Sequence, residues 1–389
     1  MNHYLPNVRR TSVALAALVL LLTVGFATAE SYHAYFGTYT GPKSKGIYVA
    51  RFDATTGQLG QPELAAETPS PSFLSADPKQ RNLYAVNEIS RYEGRAAGSV
   101  SAFTVDRKTG RLTVLNVQSS GGGAPCHLVV DGKGRNVLVA NYAGGSVAAL
   151  PIGRNGALEP ATSFLQHRGS SVNKSRQEAP HAHGIYVDAA SRFAFVPDLG
   201  LDQVLIYRFD SKKGLLTANE PPHASVTPGS GPRHFALHPN RPFAYVINEM
   251  TCTLTAFEWN KKTGAMKTLE TVSTLPPGEA FKPGFSTAEL LFHPSGQFLY
   301  GSNRGHDTIA VYAVDSATGR PAHVENVPTL GKTPRSFGID PSGRWLLAAN
   351  QSSDTVAVFR IDQKSGRITP TGQSISVGSP VAVSFVEAR

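Results

Sequence analysis

One pattern returns through this chain, and it narrows the possible folds more than any other feature. A small residue or a proline opens a short apolar strand that ends in Asp or His, often followed by Pro. A turn holding Gly, Asn or Arg comes next, and then a second strand that usually ends in Asn. The copies begin at Pro71 (PSFLSADPKQRNLYAVN), Pro125 (PCHLVVDGKGRNVLVAN), Pro180 (PHAHGIYVDAASRFAFVPD), Pro232 (PRHFALHPNRPFAYVIN), Ser286 (STAELLFHPSGQFLYGSN) and Pro334 (PRSFGIDPSGRWLLAAN). Each is followed by a third strand and a turn such as TLTAFEWNKKTG or TVAVFRIDQKSG, and then by a fourth strand. The starts lie 48 to 55 residues apart. Four short strands in about 50 residues is the size of a propeller blade.

A solenoid would also repeat, but it has no reason to close. Here a seventh copy begins at Pro380 (PVAVSFVEAR) and stops after one strand, and its missing second strand stands near the other end as His33-Ala34-Tyr35-Phe36-Gly37. Pairing these segments completes a blade from both termini and removes the free sheet edges. The expected fold is therefore all-β: a seven-bladed β-propeller with four antiparallel strands per blade and almost no helix. No stretch carries a long 3.6-residue apolar period.

The first residues belong to a different object. Arg9 and Arg10 precede an apolar run from Val13 to Phe26, and Ala27-Thr28-Ala29 reads as a small-residue cleavage site. That is the anatomy of a secretory signal peptide, too short to span a bilayer. The expectation is a leader over 1–29, cleaved after Ala29, and one propeller domain over 30–389 in an exported, periplasmic or secreted protein.

The chain holds 37 Lys and Arg against 28 Asp and Glu. These charges are scattered, without the basic run that nucleic acid or an anionic membrane would want, so neither is expected as a partner. Cys126 and Cys252 form no metal-finger spacing. An oxidising compartment permits a disulfide between them, but two free buried thiols are the plainer expectation. No cofactor and no metal are expected, and the protein is expected to be a monomer.

If the strands of each blade run A to D from the axis outward, the start of A and the end of B share one edge, because neighbours are antiparallel. One mouth of the channel should then collect the starts of A (Cys126-His127, His181-Ala182-His183, Arg233-His234, Glu289, Arg335). It should also collect the ends of B (Asn87-Glu88, Asn141-Tyr142, Asp198, Asn248-Glu249, Asn303-Arg304, Asn350). The long polar connections 165–180 and 275–286 lie on that side as well. The recurring Asn residues read as ties for the B–C turns, and Asp198, Asp202 and Asp307 as ties within their own loops. Arg233 and Arg304 are costly to bury unpaired, so each should face an acid or an anionic ligand.

Together, PHAHGIYVD, VPDLGLDQVLIYRFD, GPRHFALHPNRPFAYVINE, SNRGHDTIAVY and TPRSFGIDPSGRWLLAANQSSDTVAVF resemble the lactonase family of seven-bladed propellers. That family includes bacterial propeller-type 6-phosphogluconolactonases and fungal carboxy-cis,cis-muconate cyclases, and the resemblance runs from Tyr35 to Phe385. It implies chemistry by a His, two Arg and a Glu at the channel mouth. The arginine of GPRH is Arg233, the glutamate of INE is Glu249, and the arginine of SNR is Arg304. The histidine of PHAH is His181 or His183, with His183 preferred. His127, His181, His234, Glu289 and Arg335 would line the substrate, a small anionic lactone or sugar acid.

Lactone hydrolysis requires an activated water and a donor for the developing oxyanion. On this reading Glu249 activates water or orients His183, His183 serves as acid or base, and the arginines hold negative charge. The alternatives are a muconate-type cycloisomerase and a non-catalytic periplasmic binding propeller. A 6-phosphogluconolactone arises in the cytoplasm, so an exported chain fits a lactone-handling propeller better than that one substrate. No GxSxG, HExxH or Walker signature supports another hydrolase class.

Overall fold

The computed structural model describes residues 1–3 and 31–389. The expected leader falls largely on residues 4–30, outside the described residues. The rest forms seven antiparallel sheets, each from one stretch of chain except the first. In that blade the inner strand Pro380–Glu387 pairs with Ser31–Thr38, which pairs with Gly46–Asp53; Gln58–Leu59 and Glu63–Glu67 form the outer edge. The closure runs Tyr32↔Glu387 through Gly37↔Ala382, so both termini share one ladder.

The inner strands of blades two to seven are Leu74–Ala76, Pro125–Val130, Tyr186–Val187, Pro232–Leu237, Ser286–Phe292 and Pro334–Ile339. Their neighbours are Asn82–Asn87, Asn136–Asn141, Phe193–Asp198, Phe243–Asn248, Phe298–Arg304 and Trp345–Asn350. Apart from one 3₁₀ turn, Gln351–Ser353, the described residues carry no helix, and none is long and apolar enough to cross a membrane.

The core lies between blades. Phe36 and Phe52 of the first blade, for example, pack with Leu347, Val356 and Val358 of the seventh. Seven such clusters join the seven neighbouring pairs, so the second strand of each blade is covered on both faces. This accounts for strands with apolar runs rather than clean alternation. Four buried tyrosines fasten these seams. The hydroxyls of Tyr35, Tyr84, Tyr245 and Tyr300 donate to the carbonyls of Gly110, Gly156, Gly319 and Gly366 in the next blade's outer turn. Gly319 and Gly366 sit at positive φ, and a Cβ there would lie 2.4 Å from the Phe243 and Phe298 rings. Only glycine meets both demands.

The strand-end asparagines do structural work, as expected, but they reach farther than the B–C turn. Asn303 donates to the Thr274 carbonyl and Asn350 to the Thr329 carbonyl, tying each strand end to the incoming D–A connection. Asp202 accepts from Gly229, Gly231 and Ser171, and Asp307 from Gly305 and Thr333. Cys126 and Cys252 are both free and buried.

Candidate active site at the channel mouth

The inner strands do not start regularly. In blade five Pro232 pairs with Asn248 and His234 with Ile247, leaving Arg233 as an extra residue. The same bulge leaves out Cys126 in blade three and Arg335 in blade seven, and in blade six Ala288 and Glu289 together oppose Ser302. A bulge breaks the two-residue alternation and re-aims a side chain. That is how the adjacent Arg233 and His234 both serve the axis.

Glu249 is the hub. Its Oε2 accepts from Arg233 Nε at 3.1 Å and lies 2.9 Å from Arg304 Nη2; its Oε1 accepts from Arg176 Nη2 at 2.6 Å. Arg233 and Arg304 are pinned further, donating to the carbonyls of Ala288 and Thr287 at 2.7 Å each. Burial alone would raise the Glu249 pKa, but the three guanidinium charges override it and hold the carboxyl far below its usual range. Arg304 Nε is buried without a hydrogen-bond partner among the described residues.

His183 Nε2 lies 4.0 Å from Glu249 Oε2, and its Nδ1 lies 3.7 Å from Cys126 Sγ. Burial, then the charges of Arg233 and His234, pushes its pKa well below the ordinary value, so the ring is neutral at pH 7. His181 occupies a different place: it stacks on Tyr142 at 4.7 Å between centroids and meets the Tyr142 carbonyl and Glu178. Of the two histidines, the geometry brings only His183 to Glu249.

His127, His234 and Glu289 lie deeper. His234 Nδ1 is 2.6 Å from Glu289 Oε1, and Ser336 donates to Glu289 Oε2 at 3.1 Å. Burial opposes ionisation of Glu289, but His234 and Arg233 keep its carboxyl below the usual range. His127, with its pKa lowered chiefly by burial, sits between the rings of Phe73 at 4.0 Å and Tyr186 at 4.5 Å. These residues form a floor of rings beneath the mouth.

Arg335 stands over the Tyr39 ring, 5.4 Å from its centroid, and the Tyr39 hydroxyl donates to Glu88 Oε2 at 2.9 Å. Among the described residues no three His, Cys, Asp or Glu side chains form a metal-ligating group. Sequence reasoning missed Arg176, Tyr39 and the facing role of Tyr142. Arg176 comes from the long 165–180 connection, the one available signal; Tyr39 lies just past a strand end and carries none.

The family model described as "Lactonase, 7-bladed beta-propeller" matches residues 33–385. The chain is 36% identical to the 6-phosphogluconolactonase of Bacillus subtilis over 355 residues, covering 91% of this chain and 98% of that one. It is 30% identical to the 6-phosphogluconolactonase of Formosa agariphila, covering 79% and 86%. Among solved structures, the periplasmic gluconolactonase of Pseudomonas aeruginosa superposes with a TM-score of 0.86 at 35% identity, covering 92% of this chain and all of that one.

Proposed function

Because the chain belongs to the lactonase family of seven-bladed β-propellers, we propose that it hydrolyses the internal ester of a sugar-acid lactone at the mouth of its channel. The relatives named for 6-phosphogluconolactone and gluconolactone hydrolysis support the reaction class. The observation that carries the site is the buried, unpartnered Nε–H of Arg304 beside a carboxylate-fixed Arg233 and a neutral His183. A donor left unmet in a buried site is costly unless a ligand oxygen completes it.

The depressed pKa of Glu249 makes it too weak a base to take a proton from water. Its role is to fix the arginines and to orient. With the proton of His183 on Nδ1, toward Cys126, its Nε2 is bare. Bare Nε2 and Glu249 Oε2 are both acceptors, and the 4.0 Å between them suits one water donating a hydrogen to each. Attack by that water on the lactone carbonyl sends one proton to Nε2 and the carbonyl electron pair to oxygen. Arg304 Nε–H and the adjoining guanidinium charge stabilise the oxyanion. Collapse breaks the bond to the ring oxygen, which leaves with the proton from His183, giving a hydroxy acid.

The test is proton release by the mature protein on a lactone panel beside His183→Ala. Turnover that falls at least a hundredfold in the variant supports the reading; equal rates overturn the assignment of His183, and no turnover on any lactone overturns the function. Export belongs to the same proposal. It is supported by the charged, apolar and small-residue succession of 1–29. A mature N-terminus other than Glu30, read by mass spectrometry of protein expressed with its leader, would sink the cleavage site. The same preparation run on a sizing column tests the expected monomer.

A further inference from the structure

The channel mouth has two unlike halves. Around Glu249 the cations are already tied: Arg233 and Arg304 to the carboxylate and to backbone carbonyls, with Arg304 Nε left over, and Arg176 to the carboxylate and Tyr142. Arg335 differs. Among the described residues it holds no ion pair and its side chain makes no hydrogen bond; its guanidinium rests on the face of Tyr39 and keeps its fork of donors open. Tyr39 in turn donates to one oxygen of Glu88, and among the described residues the other oxygen of that carboxylate accepts no hydrogen bond. Glu88 follows the second strand of blade two at the repeat position that Glu249 holds in blade five, so the two carboxylates answer each other around the ring. Arg335 is the extra residue of the inner-strand bulge in blade seven, as Arg233 is in blade five, so this second half opens at the same mouth.

An open donor fork beside an open acceptor is a particular kind of receptor. A sugar hydroxyl both gives and accepts a hydrogen bond, so two neighbouring hydroxyls satisfy a guanidinium and a carboxylate together. A phosphate dianion only accepts. It would suit Arg335 but would set its oxygens against those of Glu88, an acceptor facing an acceptor and a negative charge facing a negative charge.

We propose that Tyr39, Glu88 and Arg335 form a diol-reading subsite that selects an uncharged polyhydroxylated lactone, an aldonolactone, over its phosphorylated counterpart. This rests on the lactonase reading above and adds the substrate class. Arg335 donates to the oxygens of two adjacent ring hydroxyls, Glu88 accepts from them, and Tyr39 holds both receptor groups in place. The scissile carbonyl then falls toward the Arg304 half of the mouth.

The test compares kcat/KM of the mature wild-type protein and of Glu88→Gln on three probes: glucono-δ-lactone, its 6-phosphate, and unsubstituted δ-valerolactone. The wild type is expected to prefer glucono-δ-lactone over the phosphate by tenfold or more. In Glu88→Gln the loss on glucono-δ-lactone should exceed the loss on δ-valerolactone at least tenfold, carried by KM, and the preference against phosphate should shrink. Equal losses on all three probes, or a wild type that prefers the phosphate, overturn the subsite. Tyr39→Phe gives a second reading should Glu88→Gln fold poorly: it should show the same selective loss, about threefold to tenfold. If the wild type turns over no lactone, the lactonase reading fails by itself. The subsite is then read by calorimetry with D-gluconate, whose binding should weaken at least fivefold in Glu88→Gln. Unchanged binding overturns it.

Discussion

Replacing Glu249 by Gln should unsettle the whole mouth, and the cost can be worked from its contacts. The carboxylate is buried and meets Arg233 at 3.1 Å, Arg304 at 2.9 Å and Arg176 at 2.6 Å. The side chains of Arg233 and Arg304 are only 2% and 14% exposed, so both are left as poorly compensated buried charges; Arg176, at 43%, can turn to solvent and adds little. Removing one partner of a buried pair costs about 3–5 kcal/mol. A glutamine amide keeps the shape and one accepting oxygen, so the lower half of that range is expected, about 3–4 kcal/mol by urea denaturation. Removing the opposing charge as well should return part of the loss. The double variant Glu249→Gln/Arg233→Met should therefore be less destabilised than the sum of its singles by about 1–3 kcal/mol. The pH dependence has a fixed sign. The folded-state pKa of Glu249 lies below its unfolded value, so its contribution is complete above the ordinary carboxylate range and fades only as pH falls toward the depressed value. Single costs that add within about 0.5 kcal/mol, or a Glu249→Gln cost under about 1 kcal/mol, would refute the hub.

Since burial and Arg233 push the His183 pKa well below its ordinary value, the basic form persists as pH drops, and the acid limb of kcat/KM should fall below pH 6.5; a limb at or above the ordinary histidine value would contradict this. Deleting 380–389 strips the first blade of its inner strand with buried Val381, Ala382 and Val386. That truncation should abolish cooperative thermal unfolding, and a sharp transition would argue against closure. Burial pushes the Cys126 thiol up and Cys252 to about 12, so neither should react with a thiol reagent at pH 8 before denaturation. Fast labelling of the native protein would contradict their burial.

Much of this was readable from the residues because the repeat states its geometry over and over. Six copies fix where a blade starts, and Pro380 with His33–Gly37 fixes how the ring shuts. Arg233, Glu249 and Arg304 were legible because they ride on repeating strand ends whose positions the pattern dictates. What escaped lies where the pattern is silent. The bulge at Arg233 is a register event, invisible until Pro232 and His234 are seen pairing with consecutive residues. Arg176 arrives from a connection that no other blade copies, so no spacing predicts that it lands on Glu249. His127 shows the reverse: its strand position was right, but depth along the channel depends on how far neighbouring rings fill the axis, and Phe73 and Tyr186 hold it in the floor.

The shared ladder of the first blade also bears on when the circle can exist. Among the described strands Ser31–Thr38 is synthesised first and its axial partner, Pro380–Glu387, last. At about 5–20 residues per second, roughly 20–70 s separate the two during translation. Through that interval one flank of the nascent molecule stays unsealed, and no ring can lock around the ribosome's product. A polypeptide held in that state is one a membrane pore can still thread.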